Sequence, residues 1–245
     1  MLENILESLP DKSKVMDYGC LGWKLLGMST RKDLQHHGCD ITQPAEIPNG
    51  AYFYLIDQQK NKIATEGDKF DLVVASHVLE HVYHPIDLFQ ELVRITKPDG
   101  LIYLETPSER SIMVKSTKNP DSHAFFSFWD DPTHIRPWTP ASLYRLAISC
   151  GCVPTYWGYK GTWKYKIIFP FLYLYYKIVD DEYKIAQILK PAIGWECFLV
   201  AKKSKNIKGI PKYVYPYLRD VAKGVNSAVK FYNFTIENNK KLLGK

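Results

Sequence analysis

The sequence predicts an α/β protein built on a doubly wound parallel sheet, and three observations carry that expectation. Asp71-Leu72-Val73-Val74-Ala75 is a nearly continuous apolar run, as expected of a strand buried on both faces. Leu88, Phe89, Leu92, Val93 and Ile95 then recur at helical spacing before a second apolar run, Leu101 to Leu104, giving the strand, helix, strand order of a right-handed crossover. Several of the expected strands also run into glycine, aspartate or histidine, at the edge where open α/β sheets bind their ligands.

Taken in order, Val15 to Tyr18 reads as a buried strand running into the tight turn Gly19-Cys20-Leu21-Gly22. A second strand ends at Gly38-Cys39-Asp40-Ile41, and alternating Tyr52, Tyr54 and Ile56 predict a third, closed by Asp57. The Asp71 to Ala75 strand ends at Ser76 and His77. Pro85 suits the first turn of the following helix, and Pro98-Asp99-Gly100 makes the turn after it. Beyond Glu105-Thr106-Pro107 the chain becomes aromatic and irregular, densest from Phe125 to Trp138; Ala141 to Ile148 then reads as a helix, Trp195 to Ala201 as a late strand and Asp220 to Asn238 as a terminal helix.

A chain of 245 residues, 46% hydrophobic, can bury a full core. The expected organisation is one domain over 1–204, with substrate-covering segments at about 108–140 and 157–190, followed by a basic helical tail over 205–245. The net charge of +6 is uneven: residues 201–245 hold ten Lys and one Arg against one Asp and one Glu, net +9, leaving −3 for the rest. Such a tail could meet nucleotide phosphates, nucleic acid or anionic lipid, but a solvated helix face is the usual explanation and the favoured one. Five scattered cysteines fit reduced thiols rather than a disulfide framework, Cys150 and Cys152 are too close for the usual zinc spacing, and Met1 to Lys12 has no apolar stretch of signal-peptide length; a cytoplasmic protein is expected. The greasiest run, Ile167 to Tyr176, is too short to span a bilayer. Lys164, Lys166 and Lys177 flank it, and it reads as a buried wall or partner face before a surface-seeking one.

Val15-Met16-Asp17-Tyr18-Gly19-Cys20 resembles the first motif of the class I S-adenosylmethionine-dependent methyltransferases. Residues 70–82, Phe-Asp-Leu-Val-Val-Ala-Ser-His-Val-Leu-Glu-His-Val, followed by Leu92 to Gly100, resemble that family's stretch from its fourth strand through its fifth. The resemblance implies a Rossmann-like sheet of the class I methyltransferase type and S-adenosylmethionine as cofactor. It places Asp17, Gly19 and Cys20 in the cofactor loop, with Gly19 against the methionine part. Asp40 takes the ribose hydroxyls, Asp57 contacts the adenine, and Ser76 and His77 sit beside the methyl-bearing sulfur. The chain departs from the family in one place: counting Asp17 as first, the usual glycines at the fifth and seventh positions are Leu21 and Trp23, with Gly22 between them. A nicotinamide-binding protein is disfavoured, because no G-x-G-x-x-G follows any expected strand.

His77, Glu80 and His81 stand at i, i+3 and i+4, so a helical segment would present two imidazoles and a carboxylate on one face. That set suits a divalent metal, with a fourth ligand from His123 or His134. Small-RNA 2′-O-methyltransferases and ubiquinone-pathway O-methyltransferases carry a metal-holding Glu-x-x-Glu-His here, which this chain resembles with His77 in place of the first Glu. The RNA enzymes complete the site with a distal His before an aromatic-Thr pair, which His134-Ile135-Arg136-Pro137-Trp138-Thr139 resembles. The implied metal ligands are therefore His77, Glu80, His81 and His134, for Mn or Mg, and the catalytic residues His81, His134 and His77. The alternative keeps the same histidines without metal, one of them acting as general base. Either arrangement activates a hydroxyl, which explains the histidines better than an amine acceptor does.

Asp131 to Thr139 is also similar to a stretch of methyltransferases of bacterial surface-polysaccharide (capsule) synthesis that act on nucleotide-linked sugars. The implied acceptor is a nucleotide-linked sugar or glycan precursor. An RNA or other small-molecule methyltransferase and a non-catalytic cofactor-binding relative stand as alternatives.

Overall fold

The computed structural model describes residues 1–59, 62–116, 126–161 and 163–204. The expected tail helix, His123 and Phe125 lie outside the described residues. One sheet of eight strands organises the chain, in the order β4-β3-β2-β1-β5-β6-β8-β7: β1 (Lys14–Tyr18), β2 (Gln35–Asp40), β3 (Tyr52–Asp57), β4 (Lys62–Ile63), β5 (Phe70–Ser76), β6 (Thr96–Pro107), β7 (Cys152–Lys160) and β8 (Glu196–Lys203). The five strands β3-β2-β1-β5-β6 pair in parallel; β4 runs antiparallel to β3, and β8 antiparallel to both β6 and β7.

Alternation along the central strands explains the layers. Val73 and Ala75 of β5, with Met16 of β1 and Ile102 and Leu104 of β6, pack against α3 (Pro85–Ile95) and α4 (Pro140–Ser149). Leu72, Val74, Val15 and Tyr103 face the other way, onto α1 (Leu2–Ser8) and α2 (Lys24–Gly27). Helices thus cover both faces, which is why β5 is apolar from Leu72 to Ala75. Pro85 opens α3 and Pro140 opens α4, the latter behind a capping box in which Thr139 accepts from the Ser142 amide and the Ser142 hydroxyl accepts from that of Thr139.

Strand order reverses beside β1: β2 and β3 run out on one side of it, and β5 and β6 on the other. Such a reversal opens a crevice at the carboxyl ends of the strands. Gly19, after β1, and His77, after β5, stand on its two lips.

Beyond β7, α5 (Trp163–Ile178) packs along α6 (Glu182–Ile193), and α6 rests through Ile185 and Ala186 on Phe126. α5 has no buried residue, which overturns the expectation of a buried wall at Ile167 to Tyr176. Among the described residues no helix is long and apolar enough to cross a membrane.

Candidate active site

The β1 turn departs from the glycine pattern in an informative way. Gly19 sits at φ +82, and a Cβ there would lie 2.5 Å from Val78 Cγ2, so the position requires glycine twice over. Gly22 and Trp23 follow at φ +78 and +52. The seventh position therefore keeps a left-handed backbone even though a tryptophan fills it. The turn closes through the Trp23 amide donating to the Cys20 carbonyl at 2.7 Å, and through the Gly19 and Cys20 amides donating to the Cys39 carbonyl.

Two cavities open along the crevice. One, of about 370 Å³, is lined by Asp17, Gly19, Ser76, His77, Glu105 and Lys160, with α1 at its rim. The other, of about 500 Å³, is lined by Gly19, Asp40, Ile56, Gln58, His77 and His81. They share Gly19, Leu21 and His77, so these residues mark the junction between the two chambers.

Most cofactor candidates reach this crevice, and two do not. Asp40 lines the second cavity, its carboxylate held by the amides of Leu21 at 3.1 Å and Ile41 at 2.7 Å. Asp17 lines the first and is buried; burial raises its pKa to about 7, with Asp40 adding to the rise, while the Leu25 hydrogen bond and Lys24 oppose it. Cys20 turns its thiol against Gly38, where a Cβ would meet Sγ at 2.6 Å, and lines neither cavity. Asp57 is exposed and accepts from the Gln59 amide in the turn after β3, while its neighbours Ile56 and Gln58 line the cavity in its place.

The segment after β5 is not one helical face. His77 adopts φ +55, and a single 3-10 turn spans Leu79–His81. This backbone splits the expected quartet. Glu80, His81 and His134 offer ligand atoms all within 4.8 Å of one another, whereas His77 belongs with Glu105 and Glu196 in a second cluster.

Hydrogen bonds fix the tautomers in the first cluster. The Thr133 hydroxyl donates to Asp131 Oδ1 at 2.5 Å, so at 2.9 Å it accepts from His81 Nδ1. His134 Nδ1 donates to the Phe128 carbonyl at 2.6 Å. The Nε2 of each ring therefore stays available for a metal or a proton, that of His134 at 3.8 Å from Asp131 Oδ2, the pattern of histidines oriented from behind. Glu80 is fully buried, accepting from His77 Nδ1 at 3.1 Å and from the Thr106 hydroxyl at 2.9 Å. The Ile135 amide donates to the Glu80 carbonyl at 2.8 Å and ties the His134 segment to the 3-10 turn.

His77 bridges the clusters. Its Nδ1 meets Glu80, and its Nε2 lies 3.3 Å from Glu196 and 3.8 Å from Glu105. Burial alone would lower its pKa, but the hydrogen bonds to Glu196 and Glu80 outweigh that and hold it at about 9. Glu196 is driven the other way: burial would raise it, and the bond from His77 together with the Lys160 charge brings it to about 2. Lys160 Nζ completes the group, 2.7 Å from Glu105 and 3.3 Å from Glu196. A protonated His77 is a poor metal ligand, and its charge together with that of Lys160 balances the two carboxylates of this second cluster.

Glu105, Lys160 and Glu196 were not among the residues expected from sequence. Glu105 follows the apolar run Leu101 to Leu104, as Asp40 follows its own strand, and was legible on that ground. Glu196 opens β8, which runs antiparallel to its neighbours, so a rule that searches strand ends passes over it; Lys160 does end its strand, but β7 was not itself expected from the sequence.

Known proteins agree with this architecture. Residues 1–155 match the methyltransferase domain family. The chain is similar to the ubiquinone biosynthesis O-methyltransferases of Haemophilus ducreyi, 32% identical over 105 residues covering 38% of this chain and 44% of that protein, and of Actinobacillus pleuropneumoniae serotype 5b, 30% identical over 38% and 45%. The matched region thus spans less than half the length of these curated relatives. Among solved structures, the methyltransferase in complex with the Haloferax volcanii Trm112 methyltransferase activator superposes with a TM-score of 0.58 at 14% identity, covering 82% of this chain and 88% of that one. An S-adenosylmethionine-dependent methyltransferase from Mesorhizobium loti gives 0.53 at 13% identity, covering 83% and 98%; at such identities the likeness concerns the fold alone. With the family match extending over well over half of the sequence, and with the sheet order and crevice described above, the chain belongs to the methyltransferase domain family and has the fold of the class I S-adenosylmethionine-dependent methyltransferases.

Proposed function

We propose that this chain is an S-adenosylmethionine-dependent O-methyltransferase of a small-molecule hydroxyl. The observation that carries the reading is the pair His81 and His134, each with Nδ1 tied to an oxygen and Nε2 outside hydrogen-bond range of one, clustered with Glu80, with His81 in the lining of the second cavity. In this reading the adenosine part of the cofactor occupies the cavity at Asp40 and Gln58, its methionine part lies along Gly19 and Asp17, and the acceptor enters past Ser76 and His77. Methyl transfer is an in-line displacement, so the residues must align acceptor and sulfonium and make the hydroxyl oxygen electron-rich.

Glu80, His81 and His134 fit a divalent metal, and two imidazoles with one carboxylate suit Mn, Fe, Co or Zn better than Mg, which prefers an all-oxygen shell. Bound there, such an ion would lower the pKa of the acceptor hydroxyl. Without it, the free Nε2 of His81 or His134 takes the hydroxyl proton as general base, and the Thr133 and Asp131 relay stabilises the imidazolium formed on His81. His77 plays neither part: its protonated ring at the junction orients Glu80 from one side and Glu196 from the other.

For the acceptor, Ser76, Glu105 and Lys160 supply hydrogen-bonding groups in the lining of the first cavity, with Glu196 behind Lys160, as a polyhydroxyl compound requires, and this supports a nucleotide-linked sugar or glycan precursor. The names of the curated relatives favour an acceptor of ubiquinone biosynthesis instead. Segments 108–140 and 157–190 would set the choice, through His134 and Lys160. The test is methyl transfer from S-adenosylmethionine to both acceptor panels, with chelator-treated protein and with protein resupplied with Mn²⁺. Turnover restored by metal supports the three-ligand site, and turnover indifferent to chelation supports histidine base catalysis. An absence of turnover with every hydroxyl acceptor removes the reading.

A further inference from the structure

α5 shows a pattern that the catalytic reading does not use. Its half-buried positions, Tyr165, Phe169, Leu172 and Tyr176, recur at i, i+4, i+7 and i+11 and form the side turned to the protein. Trp163, Ile167, Phe171, Leu174 and Ile178 recur with the same rhythm and are 68%, 57%, 76%, 61% and 75% exposed. At 3.6 residues per turn these five fall within an arc of about 80°, roughly opposite the packed side. An apolar stripe of this size on solvent calls for a covering partner.

The charges beside the stripe indicate which one. Lys164 borders it on one side and Lys166 and Lys177 on the other, all exposed, and α5 contains no acidic residue. Residues 201–245 add a net charge of +9 to the same chain. A second copy of α5 would set lysine against lysine, with no carboxylate on the helix to pair with it. Anionic lipid headgroups complement such a border, and Trp163, Tyr173 and Tyr175 have the apolar body and polar tip that suit a headgroup boundary. Sixteen residues of helix extend about 24 Å, short of the roughly 30 Å hydrocarbon layer, so α5 is built to lie on a bilayer rather than to cross it.

We propose that α5 is an interfacial helix that docks the protein on anionic membrane surfaces through Trp163, Ile167, Phe171, Leu174 and Ile178, with Lys164, Lys166 and Lys177 contacting the headgroups. This inference does not depend on the acceptor or on the metal.

The test is sedimentation of the full chain with phosphatidylcholine vesicles, with and without a third of phosphatidylglycerol. Wild type is expected to bind the anionic vesicles, and binding is expected to weaken as salt rises. The double variant Phe171→Glu with Leu174→Glu should bind at least about tenfold more weakly, because two apolar anchors become charges. It should keep its melting temperature and its affinity for S-adenosylhomocysteine, both read in the same samples. The variant Lys164→Glu, Lys166→Glu, Lys177→Glu leaves the stripe intact and should lose the preference for anionic over neutral vesicles. Failure of wild type to bind either vesicle overturns the proposal, as does wild-type binding by the double variant, which would assign attachment to the basic tail. A concentration-dependent dimer that Phe171→Glu dissociates would overturn it in favour of a second copy.

Discussion

His81 and His134 face each other with ring centroids 4.8 Å apart, although 53 positions separate them in sequence, and each is held through Nδ1 by an oxygen of the 128–133 segment. Removing either imidazole should therefore leave the fold and the cofactor crevice in place while disabling the acceptor side. His81→Ala and His134→Ala are each expected to lower turnover by about 100-fold or more. Affinity for S-adenosylhomocysteine should change by no more than about threefold, since neither ring is assigned to the cofactor-loop contacts. Turnover assays paired with calorimetric titration measure both quantities; near-normal turnover in both variants would remove these histidines from the chemistry.

Thr133 supplies a subtler test. Its hydroxyl passes the Asp131 charge to His81 Nδ1 and so fixes which nitrogen of His81 is free. Thr133→Val keeps the shape and removes the relay. It should reduce turnover by about 10- to 100-fold, the usual cost of losing a group that orients a catalytic or ligating histidine from behind. Thr133→Ser, which restores the hydroxyl, should recover most of that loss. Failure of the serine variant to recover would mean that packing, rather than the relay, was lost.

If Asp17 holds the cofactor as proposed, binding is expected to depend on pH. Its pKa, raised to about 7 by burial, leaves it largely protonated in the free protein at pH 6, and the neighbouring Asp40 strengthens the shift while Lys24 resists it. The cofactor's ammonium group beside Asp17 would favour the ionised form and lower that pKa. A group whose pKa falls on binding releases its proton, so affinity should rise with pH up to about 7 and level off above it. Titrations with S-adenosylhomocysteine at pH 6, in buffers of differing ionisation enthalpy, should show proton release that vanishes in Asp17→Asn. Proton uptake in wild type would contradict the placement of the ammonium group.

Much of this fold was legible because the central strands are buried on both faces. Asp71 to Ala75 can be little else than an interior strand, and the glycine, aspartate and histidine at the ends of β1, β2 and β5 lie on the crevice as their positions implied. The periphery was harder. β7, with Tyr156 and Trp157 exposed, carries no alternation of the usual kind, and α5 is apolar on solvent, so hydrophobicity there reports something other than the core. At the site, spacing on its own suggested one helical face for His77, Glu80 and His81. A left-handed backbone at His77, a conformation that a non-glycine residue rarely adopts, turned that ring to Glu196, 119 positions away, and no local pattern announces such a contact. The resemblance implied cofactor contacts for Asp57 and Cys20, whose side chains turn instead into the turn after β3 and onto Gly38, because a residue's place in the chain does not determine which way its side chain turns.

Glu91 on α3 has a fully buried side chain, and the structure meets both of its oxygens: Arg94 Nε donates to Oε2 at 2.6 Å, Arg94 Nη2 to Oε1 at 2.7 Å, and the Ile63 amide to Oε1 at 3.0 Å. Arg94 reaches on to the carbonyls of Ile63 and Thr65, so the pair fastens β4 and its following turn to α3. Glu91→Ala leaves the guanidinium and an amide without their acceptor and opens a void, and should destabilise the protein by about 3 kcal/mol. Glu91→Gln retains an acceptor and the volume and should cost about half as much. Urea denaturation resolves the two, because a lower midpoint at constant slope reports stability alone. Equal losses in both variants would place the stabilisation in the charge rather than in the hydrogen-bond geometry, and no loss in either would make the ion pair dispensable to this edge of the sheet.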